Sequence, residues 1–471
     1  MSRVLSGLRP KRVFQIFEDI CSIPHGSGNT KQISDYCVNF AKKLGLYVLS
    51  DELNNVIIKK PASLGYENCE PVVLQGHLDM VCEKEADCDF DFSIDAIKLK
   101  VSGDYVSACT TTLGGDDGIA VAIILAILED SMLKTPPLEA IFTTDEETGM
   151  YGAAGLDTSG ITAKRFINID SEDEGVFTVG CAGGARADIS LPLKSEAYSG
   201  KVYKVEISGL IGGHSGTEIN KGRLNANKVL AGFLKKLGEG TLISEISGGS
   251  KDNAIPVNAC CVVCSNADIF KLAKEYENES RSPEDNNLTI TVSNAKCKTA
   301  FSRESSKQII DILSELPSGV VSMSRDIDGL VETSLNLGII KIQDKAFHIS
   351  LSVRSSKSAE KKKIIKRLEE ISKKHNADFS TYGDYPAWEY RKNSPLRDKM
   401  IEVFKYMYGS QPKIEVIHAG LECGLFAEKI KDIDAVSIGP DLFDIHTPRE
   451  RLSISSVERT YNYICNVLEA L

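Results

Sequence analysis

The segment PVVLQGHLDMV, residues 71–81, is an apolar run that ends in His77 and Asp79. Two later segments show the same pattern, LEAIFTTDE at residues 138–146 and RFINID at residues 165–170, and both end in acidic residues. The apolar segment DGIAVAIILAILED, residues 117–130, has the length of a helix and lies between the first two. Near-continuous apolar strands that alternate with helices are typical of a sheet covered on both faces. The sequence therefore predicts the α/β class, with a mixed, mostly parallel sheet flanked by helices.

The character of the sequence changes near residue 187. From there to residue 385, strand-like runs alternate polar and apolar residues, and the helical runs are amphipathic and rich in lysine. After residue 386 the earlier style returns, with the apolar run AVSIGP and a closing helix. We therefore expect one α/β domain made of residues 1–186 and 386–471, with an α+β domain inserted at residues 187–385. A strand-rich piece followed by a helix occurs twice in the insert, which suggests a weak internal repeat.

Composition narrows the class of protein. The chain has 471 residues, of which 42% are hydrophobic, and its formal net charge of -11 argues against nucleic acid or an anionic membrane surface as a partner. We find no segment with the roughly 20 consecutive apolar residues that a membrane-spanning helix needs, and no secretory signal at the N-terminus. The chain has 13 cysteines, an odd number, and their spacing does not resemble that of a disulfide framework. This pattern predicts free thiols. We therefore expect a cytoplasmic protein.

Acidic residues stand at the ends of several predicted strands, and two histidines accompany them. In an α/β sheet, sites gather beyond the carboxyl ends of the parallel strands. Carboxylates that converge there repel one another unless a cation lies between them, and histidine supplies the nitrogen ligand that zinc prefers alongside carboxylate. The candidates are His77, Asp79, Asp116, Asp117, Asp145, Glu146, Glu147, Asp170 and His446.

Local geometry suggests roles for some of these residues. Residues two apart in a strand face the same way, so Asp79 is placed to accept the free ring N–H of a metal-bound His77. Glu146 and Glu147 are adjacent and face different ways, so one of them can bind metal while the other stays free as a general base. Asp116 follows a glycine turn and suits a carboxylate shared by two ions. Two divalent ions and three carboxylates leave one positive charge for a hydroxide, the nucleophile of a hydrolytic two-metal site.

The motifs GHLDMV, LGGDDGIA, TTDEETGMYGA, INIDSEDEG, GGHSG, LECG and IHTP, in this order, resemble the cocatalytic metallopeptidases that include carnosinases and aminoacylases. The resemblance covers essentially the whole chain and implies a di-zinc catalytic domain with an inserted lid domain. It implies that one ion is held by His77, Asp116 and Asp170, and the other by Asp116, Glu147 and His446. Zinc is the expected metal, and manganese or cobalt also suits these ligands.

The same resemblance implies roles for residues that bind no metal. Glu146 is the expected general base, and Asp79 lies beside His77. In the lid, His214 of GGHSG is expected to stabilise the oxyanion, and Arg354 is expected to pair with the substrate carboxylate. Asn253 and His418 are further candidates for substrate contacts. Asp117 departs from the pattern, because a smaller or neutral residue is common at its position.

The expected function is hydrolysis of unblocked dipeptides, Xaa-His and others, by a hydroxide that bridges two metal ions. Two alternatives stay open at this point: an N-acyl amino-acid deacylase of the same family, and a catalytically silent peptide-binding protein. The expected partner is a dipeptide substrate. A homodimer is the commonest oligomer, and in dimeric relatives the lid histidine comes from the other subunit, so His214 acts either within its own chain or on a partner's site.

Overall fold

The computed structural model describes residues 3–471 and divides them into two compact units. The first unit comprises the described chain up to Gly180 together with Tyr390–Val416 and Leu421–Leu471. The second comprises Cys181–Glu389 together with Ile417–Gly420. Both ends of the chain therefore build the first unit.

Helices and strands alternate along the described chain. Up to residue 181 they are α1 (Lys11–Cys21), α2 (Lys31–Lys43), β1 (Tyr47–Ser50), β2 (Val56–Lys60), β3 (Val72–His77), β4 (Leu99–Ser102), β5 (Tyr105–Ala108), α3 (Gly115–Glu129), β6 (Leu138–Thr143), α4 (Tyr151–Gly155), β7 (Arg165–Asn168) and β8 (Val176–Cys181). They continue with β9 (Gly183–Pro192), β10 (Ser195–Ala197), β11 (Val202–Ser208), β12 (Gly213–His214), α5 (Ala226–Leu237), β13 (Leu242–Gly248), β14 (Ala254–Ile255), β15 (Ala259–Cys264), α6 (Ile269–Ser280), β16 (Thr289–Asn294), β17 (Thr299–Phe301), α7 (Arg303–Glu315), β18 (Gly319–Met323), β19 (Val331–Gln343), β20 (Ala346–Ser355), α8 (Ser358–Lys374) and β21 (Asp378–Tyr385). The last are α9 (Pro395–Tyr408), β22 (Lys413–Ile417), α10 (Glu422–Lys429), β23 (Asp434–Ser437), β24 (Leu442–Phe443), β25 (Arg451–Ser453) and α11 (Ile454–Ala470).

The main sheet of the first unit has eight strands in the order β1-β2-β6-β3-β7-β23-β8-β22. Its central strands β6, β3, β7 and β23 run parallel, whereas β1, β2 and β8 pair antiparallel. Strands β3 and β6 are buried along their whole length, and the almost entirely buried helix α3 packs against β3 and α1. These contacts explain why most residues of the three segments are apolar. The predicted α/β class with a mixed sheet is confirmed.

The second unit contains a nine-stranded antiparallel sheet in the order β16-β11-β15-β13-β19-β20-β9-β21, with β18 paired to β19. Helices α5 to α8 pack against this sheet. Their apolar residues join those of the strands in one core that includes Leu230, Phe233, Ile312, Leu351 and Leu368. The alternating strands and amphipathic helices of this part of the sequence each bury their apolar side in this core.

Among the described residues, none of the helices combines the length and apolar character needed to cross a bilayer.

Candidate metal centre

The candidate ligands of the first unit lie at the carboxyl ends of its parallel strands. His77 is the last residue of β3, and Asp170 follows the end of β7 by two residues. Glu146 and Glu147 lie in the turn after β6, and Asp116 lies at the start of α3. Because parallel strands end at the same edge of a sheet, residues far apart in sequence meet there.

Two groups of side chains that share Asp116 are arranged to hold a cation. In each group the ligand atoms lie within 4.8 Å of one another: His77, Asp116 and Asp170 form one, and Asp116, Glu147 and His446 form the other. Nε2 of His77 lies 3.0 Å from Oδ1 of Asp116 and 3.5 Å from Oδ1 of Asp170. Nε2 of His446 lies 3.2 Å from Oδ2 of Asp116 and 3.0 Å from Oε1 of Glu147. Asp116 therefore presents one oxygen to each group, as a carboxylate shared by two ions does.

The electrostatics of the cluster favour a cation. Burial lowers the pKa of His77, but hydrogen bonds to Asp116 and Asp170 outweigh burial and raise it well above the ordinary value. Hydrogen bonds to Asp116 and Glu147 raise the pKa of His446 to about 10. Burial and nearby carboxylates raise the pKa of Asp170 to about 6. Each imidazole thus holds a proton whose positive charge offsets the negative charge of the carboxylates. A divalent ion brings two positive charges to the same place. The nitrogen and oxygen donors fit zinc, manganese or cobalt.

Asp79 is buried and orients both His77 and the turn after β6. Nδ1 of His77 lies 2.9 Å from the backbone carbonyl oxygen of Asp79, whereas Oδ1 of Asp79 is 3.6 Å away. A carbonyl oxygen only accepts, so Nδ1 carries the ring proton and Nε2 is left for an ion. The backbone carbonyl therefore makes the contact that we expected from the carboxylate. The carboxylate instead accepts hydrogen bonds from the backbone N–H groups of Glu146 (3.0 Å) and Glu147 (3.3 Å).

Glu146 lies close to the two groups of ligands. Its carboxylate, that of Glu147 and a ring nitrogen of His77 come within 4.8 Å of one another. Burial and the neighbouring carboxylates raise the pKa of Glu146 well above its ordinary value. A carboxylate with a raised pKa can accept a proton and later return it, as a general base must.

Asp117 supports the strand that carries His77. Its Oδ2 accepts a hydrogen bond from the backbone N–H of His77 at 3.1 Å, a contact outside α3. A Cβ atom at Gly76 would lie 2.5 Å from the same oxygen. This close approach explains why glycine precedes His77.

Glu450 is a buried residue of this centre that the sequence did not reveal. Its Oε2 accepts hydrogen bonds from the backbone N–H groups of Leu113 (2.8 Å) and Gly114 (3.2 Å). Its Oε1 accepts from those of Gly115 (2.8 Å) and Asp116 (3.4 Å). The carboxylate thus holds the loop that presents Asp116. Its partners are more than 330 residues away along the chain, so no local signal could have identified it.

In the second unit, His214 and Asn253 lie side by side. The short strand β12, which contains His214, pairs with β14, and His214 is the cross-strand partner of Ala254, next to Asn253. The backbone carbonyl of Asn253 accepts a hydrogen bond from the backbone N–H of Ser215 at 2.8 Å. Burial and the nearby charge of Arg354 lower the pKa of His214. The imidazole is therefore neutral near pH 7 and carries one N–H donor.

Arg354 and His418 form a second cluster in the same unit. Arg354 on β20 is the cross-strand partner of Ser334 on β19, and Oγ of Ser334 lies 2.8 Å from Nε2 of His418. Nη1 of Arg354 donates to the hydroxyl of Tyr385 at 3.1 Å. Among residues 3–471, the buried Nε of Arg354 has no hydrogen-bond partner. The guanidinium thus retains a donor for an anion such as a carboxylate.

Comparison with known proteins identifies the family. Residues 73–470 match the family described as Peptidase family M20/M25/M40. The chain belongs to this family. The predicted membership among the metallopeptidases is confirmed.

Individual members of the family resemble this chain over its whole length. It is 38% identical over 479 residues to the cytosol non-specific dipeptidase of Escherichia coli (strain K12), which covers 99% of both chains. The crystal structure of aminoacylhistidine dipeptidase from Vibrio alginolyticus matches with a TM-score of 0.94 at 35% identity, covering 99% of this chain and 98% of that one. An aminopeptidase from Bacillus cereus, at 16% identity and a TM-score of 0.60, has the same fold over 98% of this chain and 99% of that one.

Proposed function

We propose that this M20 peptidase hydrolyses unblocked dipeptides, Xaa-His among them, in a metal-dependent reaction. Two relatives whose names state dipeptidase activity match essentially the whole chain. The observation that carries the proposal is the carboxylate of Asp116, which serves two groups of ligand atoms at once. Glu146 beside these groups supplies the proton-accepting residue that a peptide-binding protein does not need.

We further propose that the centre holds two ions, with zinc as the physiological metal and manganese or cobalt as substitutes. His77, Asp116 and Asp170 would hold one ion, and Asp116, Glu147 and His446 the other. When bound, such ions act as Lewis acids and lower the pKa of water. The Nδ1 contact to the carbonyl of Asp79 supports this assignment, because it turns Nε2 of His77 toward the carboxylates of Asp116 and Asp170.

Glu146 is the proposed general base. It takes a proton from the attacking water and returns it to the amine that leaves when the peptide bond breaks. Its raised pKa supports both steps, and the hydrogen bond from its backbone N–H to Asp79 keeps it in place. The task of Asp79 is thus to orient His77 and Glu146 together.

We retain the predicted lid domain at residues 187–385, a segment that lies within the second unit. His214 is the proposed donor to the oxyanion, and Arg354 is the proposed partner of the substrate carboxylate. Asn253 and His418 are proposed to contact the substrate as well. A cytoplasmic location is also proposed, as is a homodimer.

Hydrolysis assays test the function directly. Ala-His, β-Ala-His, Leu-Gly, a tripeptide and N-acetyl-His would be offered to chelated protein, before and after adding zinc, manganese or cobalt, with release of amino groups detected by ninhydrin. Metal-dependent cleavage of the free dipeptides alone is expected. Cleavage of only the acetylated compound would identify a deacylase. No cleavage of any compound with metal bound would favour the catalytically silent peptide-binding protein.

The variant Glu146→Gln tests the assigned base. It should lose at least a hundredfold in turnover while it retains both ions and its affinity for dipeptide, because general-base catalysis contributes roughly 10²–10⁴-fold. The exposed Glu428→Gln on α10 is the matched control and should behave as the parent protein. Normal turnover by Glu146→Gln would exclude this residue as the base.

A further inference from the structure

A row of buried polar side chains crosses the main sheet just below the candidate ligands. Ser437, Asn168 and Gln75 are cross-strand partners on β23, β7 and β3. Thr143 at the end of β6 and Glu422 at the start of α10 complete the row, and all five residues are 0% exposed. Polar groups are costly to bury inside an apolar sheet, so such a row needs an explanation. We refer to these five residues as the polar belt.

The hydrogen bonds of the polar belt all run in one direction. Ser437 donates to Oδ1 of Asn168, and Nδ2 of Asn168 donates to Oε1 of Gln75 at 2.6 Å. Nε2 of Gln75 donates to Oε2 of Glu422 at 2.6 Å, and the hydroxyl of Thr143 donates to the same oxygen at 2.6 Å. The row therefore ends on a group that accepts two hydrogen bonds at one atom, which a carboxylate does well.

The belt is spaced to act on the ligands. In a strand, residues two apart point to the same face. His77 follows Gln75 by two residues, and Asp170 follows Asn168 by two. The hydrogen bond between Gln75 and Asn168 therefore joins β3 to β7 two residues before His77 and Asp170, which share one candidate ion.

We propose that the polar belt is a positioning device that sets the distance between His77 and Asp170, and that Glu422 is its terminal acceptor. The five residues are positioning residues and do not touch substrate. This inference rests on the proposed function, because it assumes that His77 and Asp170 bind metal. One oxygen of Glu422, Oε1, is buried without a hydrogen-bond partner among the residues that the structure describes. Burying an oxygen without a hydrogen-bond partner costs free energy, so the carboxylate of Glu422 has a role other than packing.

The test separates positioning from mere stability. Gln75→Met keeps the length of the side chain but removes its hydrogen bonds to Asn168, Glu422 and Thr143. The control Asn227→Leu removes an equally buried amide of the second unit, which donates to the carbonyls of Leu337 (3.1 Å) and Gly338 (3.3 Å). Both variants should unfold at lower urea concentration than the parent protein. Only the first should change metal affinity.

Stepwise competition between the protein and a chelator for Zn²⁺, repeated with Mn²⁺, measures the affinity for each ion. For Gln75→Met we expect one of the two ions to bind roughly 10–100-fold more weakly, the usual effect of removing a group that supports metal ligands, and the other to be almost unaffected. Asn168→Leu should have the same effect, and the double variant should lose little more than either single one, because both changes break the same chain of hydrogen bonds.

Three outcomes would overturn the inference. Unchanged affinity for both ions in Gln75→Met would exclude positioning by the belt, and so would an equal loss in Asn227→Leu. Additive losses in the double variant would show that Gln75 and Asn168 act separately. If Gln75→Met does not fold, Thr143→Val replaces it in the titration, because it removes the donor from Thr143 to Glu422 and the acceptor at 3.2 Å from Nε2 of Gln75. Failure of the parent protein to bind two ions would instead refute the proposed function, so the two failures are distinguishable.

Discussion

The variant Glu450→Gln should weaken both the fold and the metal centre. Each oxygen of Glu450 accepts one short hydrogen bond of 2.8 Å and one longer bond, from four successive backbone N–H groups. An amide nitrogen cannot accept, so whichever oxygen is replaced, two buried N–H groups lose their acceptor. An unsatisfied buried group costs roughly 1–3 kcal/mol. With about 1–3 kcal/mol for the N–H group of the short bond and about 1 kcal/mol for that of the longer one, we expect the free energy of unfolding to fall by about 2–4 kcal/mol.

Urea unfolding of the chelated protein measures this loss, and chelator competition measures the affinity for metal. Both should fall, because the loop held by Glu450 presents Asp116. Glu139→Gln is the matched control, since Glu139 is also buried and accepts hydrogen bonds from the backbone N–H groups of Thr162 and Ala163. It should lower stability with metal affinity unchanged. Wild-type stability and affinity in Glu450→Gln would refute the assigned role.

Three further predictions concern single residues. Gly76→Ala should lower the free energy of unfolding by about 1–3 kcal/mol in urea, because its Cβ would lie 2.5 Å from Oδ2 of Asp117, and unchanged stability would contradict that close contact. Tyr385→Phe removes the 3.1 Å hydrogen bond from Arg354, so KM for free dipeptides should rise roughly three- to tenfold with little change in kcat, whereas C-terminally amidated dipeptides should show no such rise. Burial and Arg354 lower the pKa of His418 from 6.5 to about 4, so the neutral ring stabilises the fold above pH 6.5, and about 3 kcal/mol is lost as the pH falls to 4. In His418→Gln, urea unfolding should show a smaller loss over that interval, and an identical pH profile would count against this assignment.

The residues at the ends of the strands were predictable from sequence. The contacts that hold those residues in place were not. An apolar run that ends in His77 or Asp170 predicts a buried strand with a polar group at its end. Whether the side chain or the backbone carbonyl of Asp79 meets His77 depends on the turn after β3, which the sequence does not specify. Glu450 was missed because its acceptor role exists only once two distant segments meet. The predicted roles of the residues in the second unit remain predictions.

The position of β23 in the main sheet has a consequence for synthesis. β23 lies between β7 and β8, although about 250 residues separate it from them in the chain. Translation at roughly 5–20 residues per second leaves the edge of β7 unpaired for about 12–50 s as the nascent chain grows. During that interval the emerging chain also lacks His446 and Glu450. Almost the entire polypeptide must therefore leave the ribosome before the proposed two-ion centre has all of its ligands.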